Sequence, residues 1–279
     1  MSKFLTAIGL VLLVGGLAYH FAALTIFNAL VPKDAGSHLA ASDIAYGPDP
    51  RQRLDVYVPE GQGPFPVIVF TYGGSWDSGN KTDYGFVGRA LASRGYVVAI
   101  ADYRLVPQIR YPVFVDDVAQ SINWVIDHAT EFGGDANRLF AMGHSAGAYN
   151  LVQAVLRNNL SAKMKAMVTL AGPFDFLPLD SPKSIAAFSG VADLEETQPV
   201  NGDLATAPPI LLLHGAADQT VRIRNSQSLY AAWQKMRRPA ELKIYDGLSH
   251  VGIMLALSTL RRESAPVLDD AIAFLQKYD

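Results

Sequence analysis

Eight short apolar runs rich in β-branched residues constrain the fold of this chain. They are Asp43–Tyr46, Arg53–Val58, Pro66–Thr71, Tyr96–Ala101, Arg138–Met142, Lys165–Leu170, Pro209–Leu213 and Glu241–Tyr245. From the third onward most are separated by roughly 20 residues or more, the room that a helical crossover between parallel strands needs. The intervening segments carry helical spacing. Tyr111–Phe132 sets Val113, Val118, Ile122, Val125 and Ile126 near one face, and Ile223–Arg238 and Ala265–Tyr278 repeat the pattern. The first two runs are separated only by Gly47–Gln52, a hairpin-like turn, so an antiparallel pair leads into a parallel arrangement. The expectation is an α/β fold, a mostly parallel eight-stranded sheet covered by helices. With 279 residues, 50% of them hydrophobic, one large domain is expected.

Charge and residue usage narrow the chemistry. The net charge is −3 and no long basic run occurs, so nucleic acid is not an expected partner. The chain has no cysteine, which excludes disulfides, thiolate nucleophiles and zinc–thiolate sites. The six histidines are scattered and lack the HExxH spacing of a zinc helix. No metal and no cofactor are expected.

Phe4–Val31 carries no formally charged side chain and has His20 and Asn28 as its only strongly polar members. As a helix it would extend roughly 40 Å, enough for a bilayer core of about 30 Å. It exceeds the apolar region of a usual cleaved signal. Residues 1–31 are therefore expected to form an N-terminal apolar helix that anchors the chain in a membrane. A cleaved signal peptide and a buried or interfacial helix are the alternatives. The short charged N-terminus, with Lys3, favours an extracytoplasmic domain. Residues 32–42 read as a polar linker and 43–279 as the folded domain. Within it Gly172–Pro208 lacks a clear element; such segments are often lids over a site, and a few short surface helices are the plain alternative.

The chemistry centres on Gly143-His144-Ser145-Ala146-Gly147, which follows the strand-like Arg138–Met142 and opens a helical stretch. A serine hydroxyl attacks an acyl carbon only with an adjacent base and a clear approach. Glycines two positions either side permit the tight strand-to-helix turn that presents it. Downstream, the apolar run 209–213 breaks at His214-Gly215 with Asp218 in the next loop, and His250 lies beyond the last strand. His250 is the candidate base and Asp218 the acid that orients it, with Asp175 and Asp246 as rival acids near strand ends. His144 and His214 are expected to support turns, and His20, His38 and His128 to stand apart from the site. After the third strand, "TYGGSW" offers backbone donors for an oxyanion at Gly74 and Ser75, joined by Ala146, with Gly73 as the rival.

Five motifs in this order resemble the α/β-hydrolase superfamily, in its carboxylesterase branch with acetyl-xylan and feruloyl esterases and kynurenine formamidase-like enzymes. They are "YGGSW", "ADYRL", "GHSAG", "HGAADQTV" and "GLSHVG". The resemblance covers about residues 43 to 279 and implies the three-layer α/β-hydrolase sandwich, the chain order Ser145, Asp218, His250, and a small-molecule ester substrate with a short acyl group. Amide hydrolysis and a non-catalytic, membrane-tethered binding module are the alternatives. Tyr72 departs from the family, which usually has His there. Tyr72 and Trp76 are expected to wall the substrate pocket; Tyr72 bonding a neighbouring loop and Trp76 packing beneath its own loop are the alternatives. The resemblance also implies a structural role for Arg104.

Overall fold

The computed structural model describes residues 23–279. Helical residues 23–30 (α1) lead into β1 (Ser37–Ala45), β2 (Arg53–Pro59), β3 (Phe65–Thr71), α2 (Gly85–Ala92) and β4 (Val97–Ala101). There follow α3 (Val113–His128), β5 (Gly134–His144), α4 (Ala146–Arg157), β6 (Ala166–Leu170) and α5 (Pro182–Phe188). The chain ends with β7 (Ile210–Gly215), α6 (Arg224–Lys235), β8 (Ala240–Tyr245), α7 (His250–Leu255) and α8 (Val267–Gln276).

The eight strands form one sheet in the order β1-β2-β4-β3-β5-β6-β7-β8. β2 pairs antiparallel with both β1 and β4, and every later pairing is parallel. Successive residues of β4, β6 and β7 are all buried, which requires cover on both faces. α3 and α4 pack on each other and on β5, α2 packs on β2 and β4, and α8 on β6 and β7. This is the expected three-layer arrangement.

Seven of the eight strands fall where the β-branched runs place them. β1 differs: it begins at Ser37, so residues 37–42, expected as linker, pair with β2. As an edge strand with most of its side chains exposed it has no alternating pattern to betray it. Two register shifts interrupt its pairing, and Asp43 sits at φ 58°.

Most of Phe4–Val31 lies outside the described residues, and with it the expected apolar helix and membrane anchor. Among the described residues no helix is long and apolar enough to cross a membrane. Gly172–Pro208, expected as a lid, as short surface helices, or as both, contains helical elements. It folds as α5 and two single-turn helices at Glu195–Thr197 and Pro199–Asn201.

Candidate active site

Parallel strands that end together bring their following loops together, and every site element here follows the carboxyl end of a strand. Ser145 follows β5, Gly73–Ser75 follow β3, Asp218 follows β7, and His250 opens α7 after β8.

Ser145 joins β5 to α4 at φ 54°, ψ −129°, a backbone conformation costly for a side-chain-bearing residue. Close packing enforces it. A Cβ at Gly147 would lie 2.2 Å from the Tyr72 carbonyl oxygen, so only glycine lets α4 start against the end of β3. The Ser145 N–H donates to the Leu170 carbonyl at 2.9 Å, fixing the turn to the neighbouring strand.

The three side chains expected to act together do meet. Ser145 Oγ lies 2.8 Å from His250 Nε2, and His250 Nδ1 lies 2.8 Å from Asp218 Oδ2. An ionised carboxylate only accepts, so Nδ1 carries the proton and Nε2 accepts from the serine hydroxyl. Asp218 is fully buried at its carboxylate. Its other oxygen, Oδ1, accepts from the N–H groups of Thr220 (2.8 Å) and Val221 (2.9 Å). Burial alone would raise this carboxyl; the hydrogen bonds from His214 and His250, the charge of His250 and the Val221 N–H outweigh it and hold the group well below the usual carboxylate range. The rival acids are elsewhere: Asp175 accepts from Ser228 at 2.7 Å, and Asp246 is exposed.

The neighbouring histidines are braces, as expected. His144 Nε2 donates to the His250 carbonyl at 3.0 Å, and the two rings lie 4.9 Å apart. Burial, reinforced by repulsion from the neighbouring His250 whenever that ring carries a second proton, lowers His144 to about 3, so it stays neutral beside the relay. His214 spans Ser226 Oγ (2.7 Å) and the Val221 carbonyl (2.9 Å), closing the acid loop. Ser249 caps α7 by accepting from the Gly252 N–H, which sets where His250 leaves the helix. Arg104 grips Asp117 through Nη2 at 2.7 Å and Nε at 2.9 Å, a structural clamp.

A cavity of about 370 Å³ opens over Ser145, bordered by Gly73, Gly74, Ser75, His144 and His250. Among the described residues, the N–H groups of Gly74 and Ser75 enter no backbone bond with other loops. Gly74 sits at φ +142°, and a Cβ there would lie 2.0 Å from the Ser78 carbonyl oxygen, so the loop closes only around glycine. The rival donor, Gly73, borders the same cavity. Ala146 follows Ser145 as the first residue of α4.

Two expected pocket residues lie beneath the loop instead. Tyr72 is fully buried, stacked between Tyr84 and Tyr103 at 5.2 and 5.1 Å. Its hydroxyl donates to Asp102 Oδ1 at 2.5 Å and accepts from Arg51 Nη2 at 2.8 Å. A buried phenol needs such partners, and they lie behind the site rather than in it. Trp76 donates its indole N–H to Asn150 Oδ1 at 2.9 Å and packs among Phe114, Tyr149, Phe176 and Phe188. It staples the loop to α4. Nor does any residue of 172–208 border the cavity.

What the sequence reading missed is the remaining wall. Tyr84, Thr220, Val251, Met254 and Leu255 line it, together with Ala23, Leu24 and Phe27 of α1. Thr220 and the residues of α7 follow Asp218 and His250 closely in sequence; no comparable signal pointed to α1.

A family model described as BD-FAE matches residues 54–233. The chain belongs to the BD-FAE family. That family match, the sheet and the site together place it in the α/β-hydrolase superfamily. Among curated proteins it is 32% identical to the isoprenylcysteine alpha-carbonyl methylesterase ICME of Arabidopsis thaliana, over 85% of this chain and 62% of that protein. It is 27% identical to the kynurenine formamidase of Drosophila melanogaster, over 77% of this chain and 76% of that protein. The chain thus spans less than two thirds of the length of the plant relative. Among solved structures, esterase B from Lactobacillus rhamnosis superposes with a TM-score of 0.81 at 19% identity, covering 96% of each chain, which shows a shared fold.

Proposed function

We propose that this BD-FAE protein hydrolyses carboxylic esters through an acyl-enzyme on Ser145, with His250 as base and Asp218 holding it. The observation that carries this reading is the relay from Asp218 through His250 to Ser145, 2.8 Å at each link, beneath a cavity. Ser145 Oγ attacks the acyl carbon as its proton passes to His250 Nε2. The oxyanion is received by the N–H groups of Gly74, Ser75 and Ala146; one such donor is typically worth about 10²–10³ in turnover. The C–O bond to the leaving group then breaks, and His250 returns the proton to the departing alkoxide. Water, deprotonated by the same nitrogen, attacks the acyl carbon; collapse releases the acid and restores the serine hydroxyl. Asp218, kept ionised throughout, stabilises the imidazolium at each transfer.

A short acyl group fits best, since the cavity is near the lower end of the roughly 300–1,000 Å³ range of small-molecule sites. The methylesterase name of the plant relative supports an ester; the formamidase name supports amide cleavage as a second reading. Fluorophosphonate labelling of the parent and of Ser145→Ala tests the nucleophile. Loss of label in the variant is expected, and no labelling of folded parent protein would favour a binding module instead. Nitrophenyl esters of graded length against N-formyl amides test the substrate class: amides outrunning every ester would reverse the assignment.

The uncharged run Phe4–Val31, of which residues 23–30 pack on the domain as α1, supports a membrane tether, and the charged N-terminus with Lys3 favours an extracytoplasmic domain. Retention of the full-length protein on carbonate-washed membranes is the expected result, and its release would count against a tether.

A further inference from the structure

The cavity over Ser145 has two walls of different origin. One is built from the loops and from α7 that carry the relay. The other is α1, which contributes Ala23, Leu24 and Phe27. What fixes residues 23–30 of α1 against the domain is a set of contacts with it. Those contacts are specific. Thr25 Oγ1 donates to Asp83 Oδ1 at 2.7 Å, and Asn28 Nδ2 donates to the Thr82 carbonyl at 2.7 Å. The Phe86 N–H donates to Asn28 Oδ1 at 2.9 Å, and the Phe27 ring meets Phe86 edge-on at 5.4 Å. Beyond the helix, Val31 is buried and Asp34 accepts both Nη groups of Arg262 at 2.8 and 3.0 Å. The polar residues of α1 thus grip the segment 82–86, while Leu24 and Phe27, both half-buried, face the space above the serine.

That space selects by size and polarity. None of its bordering residues, among those described, is Asp, Glu, Lys or Arg, so an ionised substrate group would enter without a counter-charge. Apart from Ser145, His144, His250, the loop 73–75 and the hydroxyl-bearing Tyr84 and Thr220, the lining is aliphatic or aromatic carbon, from Ala23, Leu24 and Phe27 of α1 and from Val251, Met254 and Leu255 of α7.

We propose that α1 is a wall of the substrate site, and that Phe27, with Leu24, limits the length of the uncharged apolar chain that lies against Ser145. The inference rests on Ser145 being the nucleophile. It reaches past the relay to the substrate class: neutral acyl compounds with a short apolar chain, rejected when the chain is extended. Truncating Phe27 opens the cavity toward α1 and admits longer chains. One methylene in an apolar pocket typically changes selectivity about tenfold or more, so the effect is large enough to read.

The test uses full-length protein and alkyl fluorophosphonates graded from ethyl to dodecyl, with labelling rate as the readout. The parent is expected to label fastest with short chains and to fall steeply past a cut-off. Phe27→Ala should move that cut-off to longer chains and raise the ratio of dodecyl to ethyl rate about tenfold or more. Phe27→Leu, a milder truncation less prone to misfold, should shift it in the same direction by less. The ratio within each variant cancels any change in the amount of active protein. If both variants keep the length profile of the parent, the wall is overturned while Ser145 stands. If folded parent protein takes no probe of any length, Ser145 is not a nucleophile and the inference falls with it.

Discussion

Tyr72 and Asp102 meet at 2.5 Å beneath the loop that carries Gly74 and Ser75, hydroxyl to carboxylate, both buried. Asp102 Oδ1 also accepts from the Lys81 N–H at 2.8 Å, and Arg51 reaches Tyr72 and the Gly79 carbonyl with the same Nη2. The two ends of the loop, 72 and 81, are therefore clasped by one carboxylate. Burial holds that carboxyl above its ordinary range, and the tyrosine, Arg51 and Lys81 oppose the rise. Tyr72→Phe removes the donor and leaves the rest of the clasp under-satisfied. The expected cost in stability is about 1–3 kcal/mol, read from urea unfolding. In steady-state kinetics kcat should fall more than KM changes, because a loosened loop misplaces the oxyanion donors. A raised KM with unchanged kcat would return Tyr72 to the substrate pocket.

Asp218→Asn keeps the shape of the acid and removes its charge. An amide can offer its N–H₂ to His250 Nδ1 and favour the wrong tautomer, which strips Nε2 of its lone pair toward Ser145. By the behaviour of such relays, turnover should fall roughly 10⁴-fold. Asp175→Asn and Asp246→Asn, distant from the imidazole, should stay within a few-fold. The three variants, assayed on one nitrophenyl ester, decide the acid.

The relay was legible because each of its residues sits at a punctuation mark: Ser145 between two glycines, Asp218 after a fully apolar strand, His250 past the last one. Strand β8, the other edge strand, is mostly half-buried and offers only a short run. Strands β2 to β7 were legible because apolar runs buried along most of their length look alike in any context. Orientation was not. An aromatic beside a glycine loop reads the same whether it faces the substrate or the core; Tyr72 and Trp76 turn inward because their polar atoms find Asp102, Arg51 and Asn150 there. The same degeneracy hid α1. An apolar run is written identically for lipid and for a cavity wall, and only the distant partners of Thr25 and Asn28 in segment 82–86 distinguish them.

Gly147 tests how tightly the serine turn depends on close backbone approach. A methyl group there would meet the Tyr72 and Thr71 carbonyl oxygens at 2.2 and 2.4 Å, and neither can yield without moving the end of β3. Gly147→Ala should unfold at lower denaturant concentration. In the fraction that folds, Ser145 should label with a fluorophosphonate more slowly. Gly95, with nothing near its missing Cβ but a φ of +90°, is a control for backbone strain without collision. If Gly95→Ala and Gly147→Ala behave alike in labelling, the turn does not depend on that contact.

His144 predicts a sign for the pH dependence of stability. Burial lowers its folded-state value to about 3, against an unfolded histidine near 6.5. Between those values the unfolded chain takes up a proton that the folded chain refuses. The contribution of His144 to stability is therefore complete above about pH 6.5 and declines as pH falls toward 3, by roughly 1.4 kcal/mol per pH unit. Asp218, held below its ordinary range, acts in the same direction only at still lower pH. Asp83 and Asp102, raised by burial, act in the opposite direction. The absolute curve mixes these groups, but the difference between parent and His144→Asn isolates one. Unfolding free energies at pH 6.5 and 4.5 should converge between the two proteins as pH falls, because the variant has no imidazole to protonate at that position. A constant difference across that window would mean that His144 accepts a proton within the folded protein, and its neutral role beside His250 would have to be abandoned.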